Sequence, residues 1–141
     1  MNTLSHTSES FLSHEATMRD VMTASPVTVE CDVTIEDAHA LMRKLRCRHL
    51  PVMRAGVLVG LVSERDLYLV ETLVGADKTV DRVVDAMTLC VYTTTLDAKI
   101  RDVARVMAAE RYGSAVVMDR DSVVGIFTAT DAFRHLVARL D

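Results

Sequence analysis

Two segments of this chain combine residue types that can hold a phosphate or a sugar. The first is Gly60-Leu61-Val62-Ser63-Glu64-Arg65-Asp66-Leu67, and the second is Gly125-Ile126-Phe127-Thr128-Ala129-Thr130-Asp131-Ala132. Each reads as an apolar strand, then Ser or Thr, then a helix start with Asp three residues on. The hydroxyl and the unpaired N–H groups of a helix's first turn face outward, where phosphate or ribose oxygens can dock. An Asp carboxylate accepts two hydrogen bonds from the vicinal hydroxyls of a ribose. Gly60 and Gly125 remove a side chain where the backbone needs close approach. On these residues alone a second reading fits better. S/T-x-x-D is a capping-box variant, with Ser63 or Thr128 as N-cap and Asp66 or Asp131 closing on the backbone. Recurrence in two places does not separate the readings, because a repeated helix start repeats its cap.

The elements behind these segments come in two copies. Shifting the chain by 65 positions lays DVMTASPVTVECDVTIEDA (20–38) over DAMTLCVYTTTLDAKIRDV (85–103), and 14 of 49 aligned pairs from residue 20 to 68 are identical without a gap. They include Met22/Met87, Thr23/Thr88, Asp37/Asp102, Met42/Met107, Gly60/Gly125 and Asp66/Asp131. The chain is one supersecondary unit taken twice. In the first copy, residues 27–30 form a β-branched strand. Residues 34–46 form a helix with Ile35, Ala38, Leu41, Met42 and Leu45 on one stripe and Thr34 as N-cap. Strands follow at 49–53 and 57–63, joined by an Ala55-Gly56 turn. A second helix over 66–74 turns Leu67, Val70, Leu73 and Val74 inward and ends at Gly75. The second copy predicts strands at 91–94, 115–118 and 123–128 and helices at 99–111 and 131–139. The unit is β-α-β-β-α, and two copies packed sheet to sheet bury the face that one leaves wet. The fold class is therefore mixed α/β. Residues 1–17 read as a flexible tail, 18–75 and 83–141 as the two repeats, and 76–82 as a charged, partly helical linker.

Composition narrows the function classes. The 141 residues carry a formal net charge of −4, half are hydrophobic and there is no Trp. Mild acidity argues against a broad basic face for nucleic acid. The run Arg43-Lys44-Leu45-Arg46-Cys47-Arg48 reads as a solvated helix face. No apolar run approaches the ~18 residues of a membrane span, and the first residues lack a secretory pattern. Cys31, Cys47 and Cys90 are too far apart for a disulfide framework or a zinc site, so reduced thiols and a cytoplasmic setting are expected. His6 and His14 have poor ligand spacing, and no metal site is expected. Nucleophile elbows, HExxH and P-loops are absent, so no catalytic residue is assigned.

The ordered combination DVMT…PVTV…TIEDA…RHLPVM…VGLVSERDL, taken twice over residues 18–139, resembles a tandem CBS domain (the cystathionine β-synthase-type domain pair). The resemblance implies two pseudo-twofold-related units with two clefts between their sheets. In many members those clefts take AMP, ADP, ATP or S-adenosylmethionine, and no cofactor is required. It implies that Asp66 and Asp131 hold the ribose, with Ser63 and Thr128 reaching the ribose or phosphate side. It also implies that each cleft takes the Met-Thr and first-strand segment of the other repeat. Ser63 and Asp66 would then meet Thr88 and Thr93, and Thr128 and Asp131 would meet Thr23 and Thr28. Arg48, His49 and Arg65 place more positive charge in the Asp66 cleft, which is expected to be the tighter phosphate site. The family commonly forms disc-like homodimers through its helices, and residues 66–74 and 131–139 would contribute. A non-catalytic sensor that signals to a separate protein partner or through dimer geometry is the leading function. A structural or dimerisation module without nucleotide is the alternative.

Overall fold

The computed structural model describes residues 15–140. His6, His14 and most of the expected tail lie outside the described residues. The elements are α1 (Met18–Val21), β1 (Thr23–Ala24), β2 (Val29–Glu30), α2 (Ile35–Leu45), β3 (His49–Arg54), β4 (Val57–Ser63), α3 (Glu64–Glu71), a 3-10 turn (Val83–Asp85), β5 (Thr93–Thr95), α4 (Ile100–Glu110), β6 (Ser114–Asp119), β7 (Ser122–Thr128) and α5 (Ala129–Leu140). The β-α-β-β-α order holds in both repeats. Ala55 and Gly56 both have positive φ, the geometry of a type I′ hairpin turn between β3 and β4. Thr34 caps α2, its hydroxyl accepting from the Asp37 N–H.

The sheets have the orders β1-β7-β6-β5 and β2-β3-β4. The first contains a visitor. β1 comes from the start of repeat one, yet it pairs antiparallel with β7 of repeat two, Thr23 opposite Ile126. The reciprocal pairing sets Thr88 opposite Leu61 of β4. The cores follow the same exchange. Ile35, Ala38, Met42, Leu50, Val52, Val62 and Leu67 form one core, and Val83, Ala86 and Met87 from the other repeat pack into it. Val103, Met107, Ala115, Val117 and Phe127 form the second core, closed by Met18, Val21 and Met22. Each core is thus sealed by the opening segment of the other repeat. The opposite sheet faces are buried too, at Pro51 on β3 and at Ser114 and Val116 on β6, as two sheets packed together require.

Several local expectations are corrected. The second helix of repeat one closes at Glu71 with Thr72 as its C-cap, well before Gly75. Leu73 and Val74 therefore point to solvent, 62% and 106% exposed, and only Leu67 of that stripe is fully buried. Gly60 and Val62 are the fully buried residues of β4, and Val57 at its start is exposed. The linker forms turns tied by Asp77, which accepts from the Thr79 N–H and hydroxyl, and the 3-10 turn begins only after it, at Val83. Glu15 pairs with Arg101 at 2.8 Å and the Ala16 carbonyl accepts from the Ile100 N–H, so residues 15–17 dock on repeat two rather than hanging free.

Candidate functional site

The two helix starts have the geometry of full capping boxes. Asp66 Oδ2 accepts from the Ser63 N–H at 3.0 Å, and Ser63 Oγ accepts from the Asp66 N–H at 3.1 Å. Thr128 and Asp131 repeat the pattern at 3.0 and 3.2 Å. The cap uses only Oδ2 of each carboxylate. Asp66 Oδ1 has no hydrogen bond among the described residues, and Asp131 Oδ1 faces Arg134 at 3.6 Å. Capping and ligand binding are therefore compatible: the cap pins the carboxylate, and its second oxygen stays available.

The glycines serve the exchange of segments. A Cβ on Gly60 would lie 2.6 Å from Met87 Sδ and 3.0 Å from the Thr88 carbonyl oxygen, and one on Gly125 would lie 2.2 Å from Met22 Sδ. The close approach that Gly60 and Gly125 permit is that of the other repeat's Met-Thr segment.

Two adjoining cavities lie beside the helix starts. One, of about 530 Å³, is lined by Thr23, Thr128, Asp131, Arg46, Arg48 and Arg134, among others. It continues past Thr23 and Asp131 into a further space of about 370 Å³ beside Met22 and His135. The other, of about 630 Å³, is lined by Ser63, Arg65, Arg48, His49, Arg111 and Tyr68, among others. These volumes suit small-molecule ligands. Arg48, His49 and Gly113 line both cavities.

Thr23, Thr128 and Asp131 thus line one cavity. Ser63, Arg65, Arg48 and His49 meet in the other. Asp66 sits beside them without lining it, close enough for its charge to act on His49. Thr88 is exposed on its pairing with Leu61, outside the cavity lining. Thr93 belongs to β5 beside Val116 of its own repeat's sheet, and Thr28 is exposed just ahead of β2. The Met-Thr segments cross to the other repeat, and the strands that follow return to their own.

The charge comparison is corrected. The Asp131 cavity has three arginines, Arg46, Arg48 and Arg134, and the Asp66 cavity also has three, Arg48, Arg65 and Arg111, with Glu64 beside them. Of the three missed cations, Arg134 is on α5 and the other two sit just past the ends of α2 and α4. Arg46 and Arg111 cap these helices in the left-handed conformation, at φ 54° and 60°, and each reaches the cleft of the other repeat. The signal was present, since Arg46 and Arg111 are an identical pair in the internal alignment. Reading Arg43–Arg48 as a solvated face hid Arg46, and Arg48 was expected in the Asp66 cleft alone, whereas it lines both cavities.

Burial pushes the His49 imidazole below its ordinary value, against the pull of Asp66 and with the help of Arg48. Burial also pushes the Cys47 thiol up, so the one cysteine on the Asp131 cavity stays protonated. Among the described residues no three His, Cys, Asp or Glu side chains gather as a metal site, and no helix is long and apolar enough to cross a membrane.

The chain is similar to known proteins. The CBS domain-containing protein YhcV of Bacillus subtilis is 28% identical over 116 residues, covering 82% of each chain. CBSX2, solved in complex with AMP, has a TM-score of 0.75 at 26% identity, covering 89% of this chain and 98% of that one. The CBS domain pair of protein MJ0100, solved with 5′-methylthioadenosine and S-adenosyl-L-methionine, has a TM-score of 0.80 at 24% identity over 89% of this chain and 98% of that one, a likeness of fold. The CBS domain family model matches residues 18–70 and 76–138. Two repeats of one unit, exchanged opening segments and that match make this chain a member of the CBS domain family, a tandem CBS domain pair.

Proposed function

We propose that this protein is a non-catalytic regulatory module that binds an adenosyl ligand (AMP, ADP, ATP or S-adenosylmethionine) in the clefts between its repeats. One observation carries the reading: Thr23 from repeat one meets Thr128 and Asp131 from repeat two in a cavity that also holds Arg46 and Arg48. Hydroxyls and a pinned carboxylate suit a ribose, and guanidinium groups suit phosphate. The AMP held by CBSX2 supports the ligand class. The Asp131 cleft is the principal site. The Asp66 cleft is the second, with Ser63 and Arg65 at its wall and Asp66, Thr88 and Thr93 as further candidates.

Because each cleft is made by both repeats, a ligand that fits one inter-repeat angle better shifts the population toward it. The signal leaves through a partner protein or through a second copy of this chain. α5 supports the second copy. It buries no residue, and Phe133, Leu136, Val137 and Leu140 form an exposed apolar stripe. Tyr68 and Leu69 of α3 are exposed as well, and a homodimer through the helices would cover both faces.

The test is thermal unfolding with AMP, ADP, ATP, S-adenosylmethionine and NAD. A ligand at about 100 times its Kd adds about 2.7 kcal/mol, a shift of several degrees. The shift is expected for at least one adenosyl ligand and is reduced in Asp131→Asn. No shift across the panel leaves both capping boxes as helix caps and favours the dimerisation module.

A further inference from the structure

The two cavities share one wall, and the shared wall holds a single arginine. Arg48 lines both cavities, as do His49 and Gly113. In the internal alignment Arg48 corresponds to Gly113, so symmetry would supply a second cation on the other side of the axis, and the chain supplies none. Its place is taken: a Cβ at residue 113 would lie 3.0 Å from His49 Nε2. Both stations are held by the backbone. The Arg48 carbonyl accepts from the Glu64 N–H at 2.8 Å, and the Gly113 carbonyl accepts from the Ala129 N–H at 3.0 Å. The backbone of Arg48 is therefore anchored at the first turn of α3 and that of Gly113 at the first turn of α5, where the two clefts meet. Among the described residues no carboxylate lies within 4.0 Å of its guanidinium. Each cleft has private arginines besides, Arg46 and Arg134 in one and Arg65 and Arg111 in the other.

We infer that Arg48 couples the two clefts, so that phosphate-bearing adenosyl ligands fill them with negative cooperativity while uncharged adenosyl ligands fill them independently. The inference rests on the adenosyl reading above and adds its regulation. A guanidinium fork binds one phosphate bidentately and is then committed. The second anion meets a cleft that has lost one of its three arginines and gained a nearby negative charge. A neutral nucleoside asks nothing of Arg48, so the first does not disfavour the second.

The experiment is isothermal titration of the full chain with AMP and, separately, with adenosine. Single-cleft references come from filling one cleft with bulk at equivalent wall positions, Arg65→Trp and Thr130→Trp, with folding checked by circular dichroism. With AMP, the second step of the wild type is expected about tenfold or more weaker than binding to the weaker single-cleft variant. With adenosine, the wild-type isotherm equals the sum of the two variants. In Arg48→Gln the AMP isotherm also becomes a sum, at lower affinity. The inference is overturned by an additive AMP isotherm in the wild type, by an equal gap with adenosine, by a gap that survives Arg48→Gln, or by AMP binding confined to one cleft. Those outcomes leave the adenosyl reading standing. Failure of both AMP and adenosine to bind removes that reading and this inference together.

Discussion

The Asp131 cleft and the Asp66 cleft descend from one pattern and differ in how completely they are assembled. In the first, Thr23, Thr128 and Asp131 line one space, because β1 pairs with β7 as a short strand. In the second, the reciprocal pairing is a single bridge between Thr88 and Leu61, and neither Asp66 nor Thr88 reaches the cavity wall. The chain after each Met-Thr also differs. Ser25, at φ 49°, donates its N–H to the Val124 carbonyl and extends the contact of β1 with β7, whereas Leu89 is 74% exposed after Thr88. The ribose-side residues of a cleft are placed by how firmly the crossing segment is held. The charge of a cleft is set separately, by arginines at helix ends.

This comparison can be broken in several places. The largest effect is expected from Asp131→Asn, which removes a charged acceptor from the better assembled cleft. AMP affinity there should fall by about ten- to a hundredfold in isothermal titration, with at most about 1 kcal/mol lost from the cap in urea unfolding. Asp66→Asn should lower AMP binding less. An equal or greater loss for Asp66→Asn would reverse the ranking of the clefts.

Gly60→Ala should cost about 1–3 kcal/mol in urea unfolding, because its new methyl meets the Thr88 backbone oxygen, which has no rotamer to escape into. For Gly125→Ala the three nearest atoms all belong to the Met22 side chain, and it should cost less, since a Met can turn aside. Equal costs would show that the two crossings are held alike. Arg46→Gln and Arg111→Gln should each weaken AMP several-fold in the cleft they line and leave adenosine unchanged. A loss of adenosine binding would mean that the arginine shapes the cleft rather than meeting phosphate.

The smallest effect is a pH dependence centred on His49. Its folded value lies below the ordinary 6.5, chiefly through burial. As pH falls, the unfolded chain takes up this proton first. The stability contributed by neutral His49 is therefore complete above about pH 6.5 and is lost as pH falls through the folded value. AMP affinity moves the opposite way, because a protonated His49 adds a cation to both clefts. His49→Gln should flatten both slopes, and the difference between wild type and variant cancels the titration of the phosphate itself.

Much of this was legible in the sequence because it follows from local pattern. The duplication, the β-α-β-β-α order, the caps at Thr34, Ser63 and Thr128 and the turn at Ala55-Gly56 are written in neighbouring residues. The helix end at Glu71 was misread because Leu73 and Val74 continue an apolar stripe that no element covers. The reach of Arg46 and Arg111 into the opposite clefts was not legible, because it depends on a left-handed helix end and on which repeat lies across from it. The same holds for Gly60 and Gly125. Their neighbours Met87 and Met22 are far away in sequence, and only the exchange of segments brings them together.

The central claim is that one cleft, built from both repeats around Thr23, Thr128 and Asp131, receives an adenosyl ligand. A crystal structure of the protein grown with saturating AMP tests it most directly. The account predicts the ribose hydroxyls on Asp131 Oδ1, Thr23 or Thr128 beside them, and the phosphate facing Arg46 or Arg48 of the other repeat. AMP bound away from Asp131, or clefts empty at saturating AMP, would contradict it.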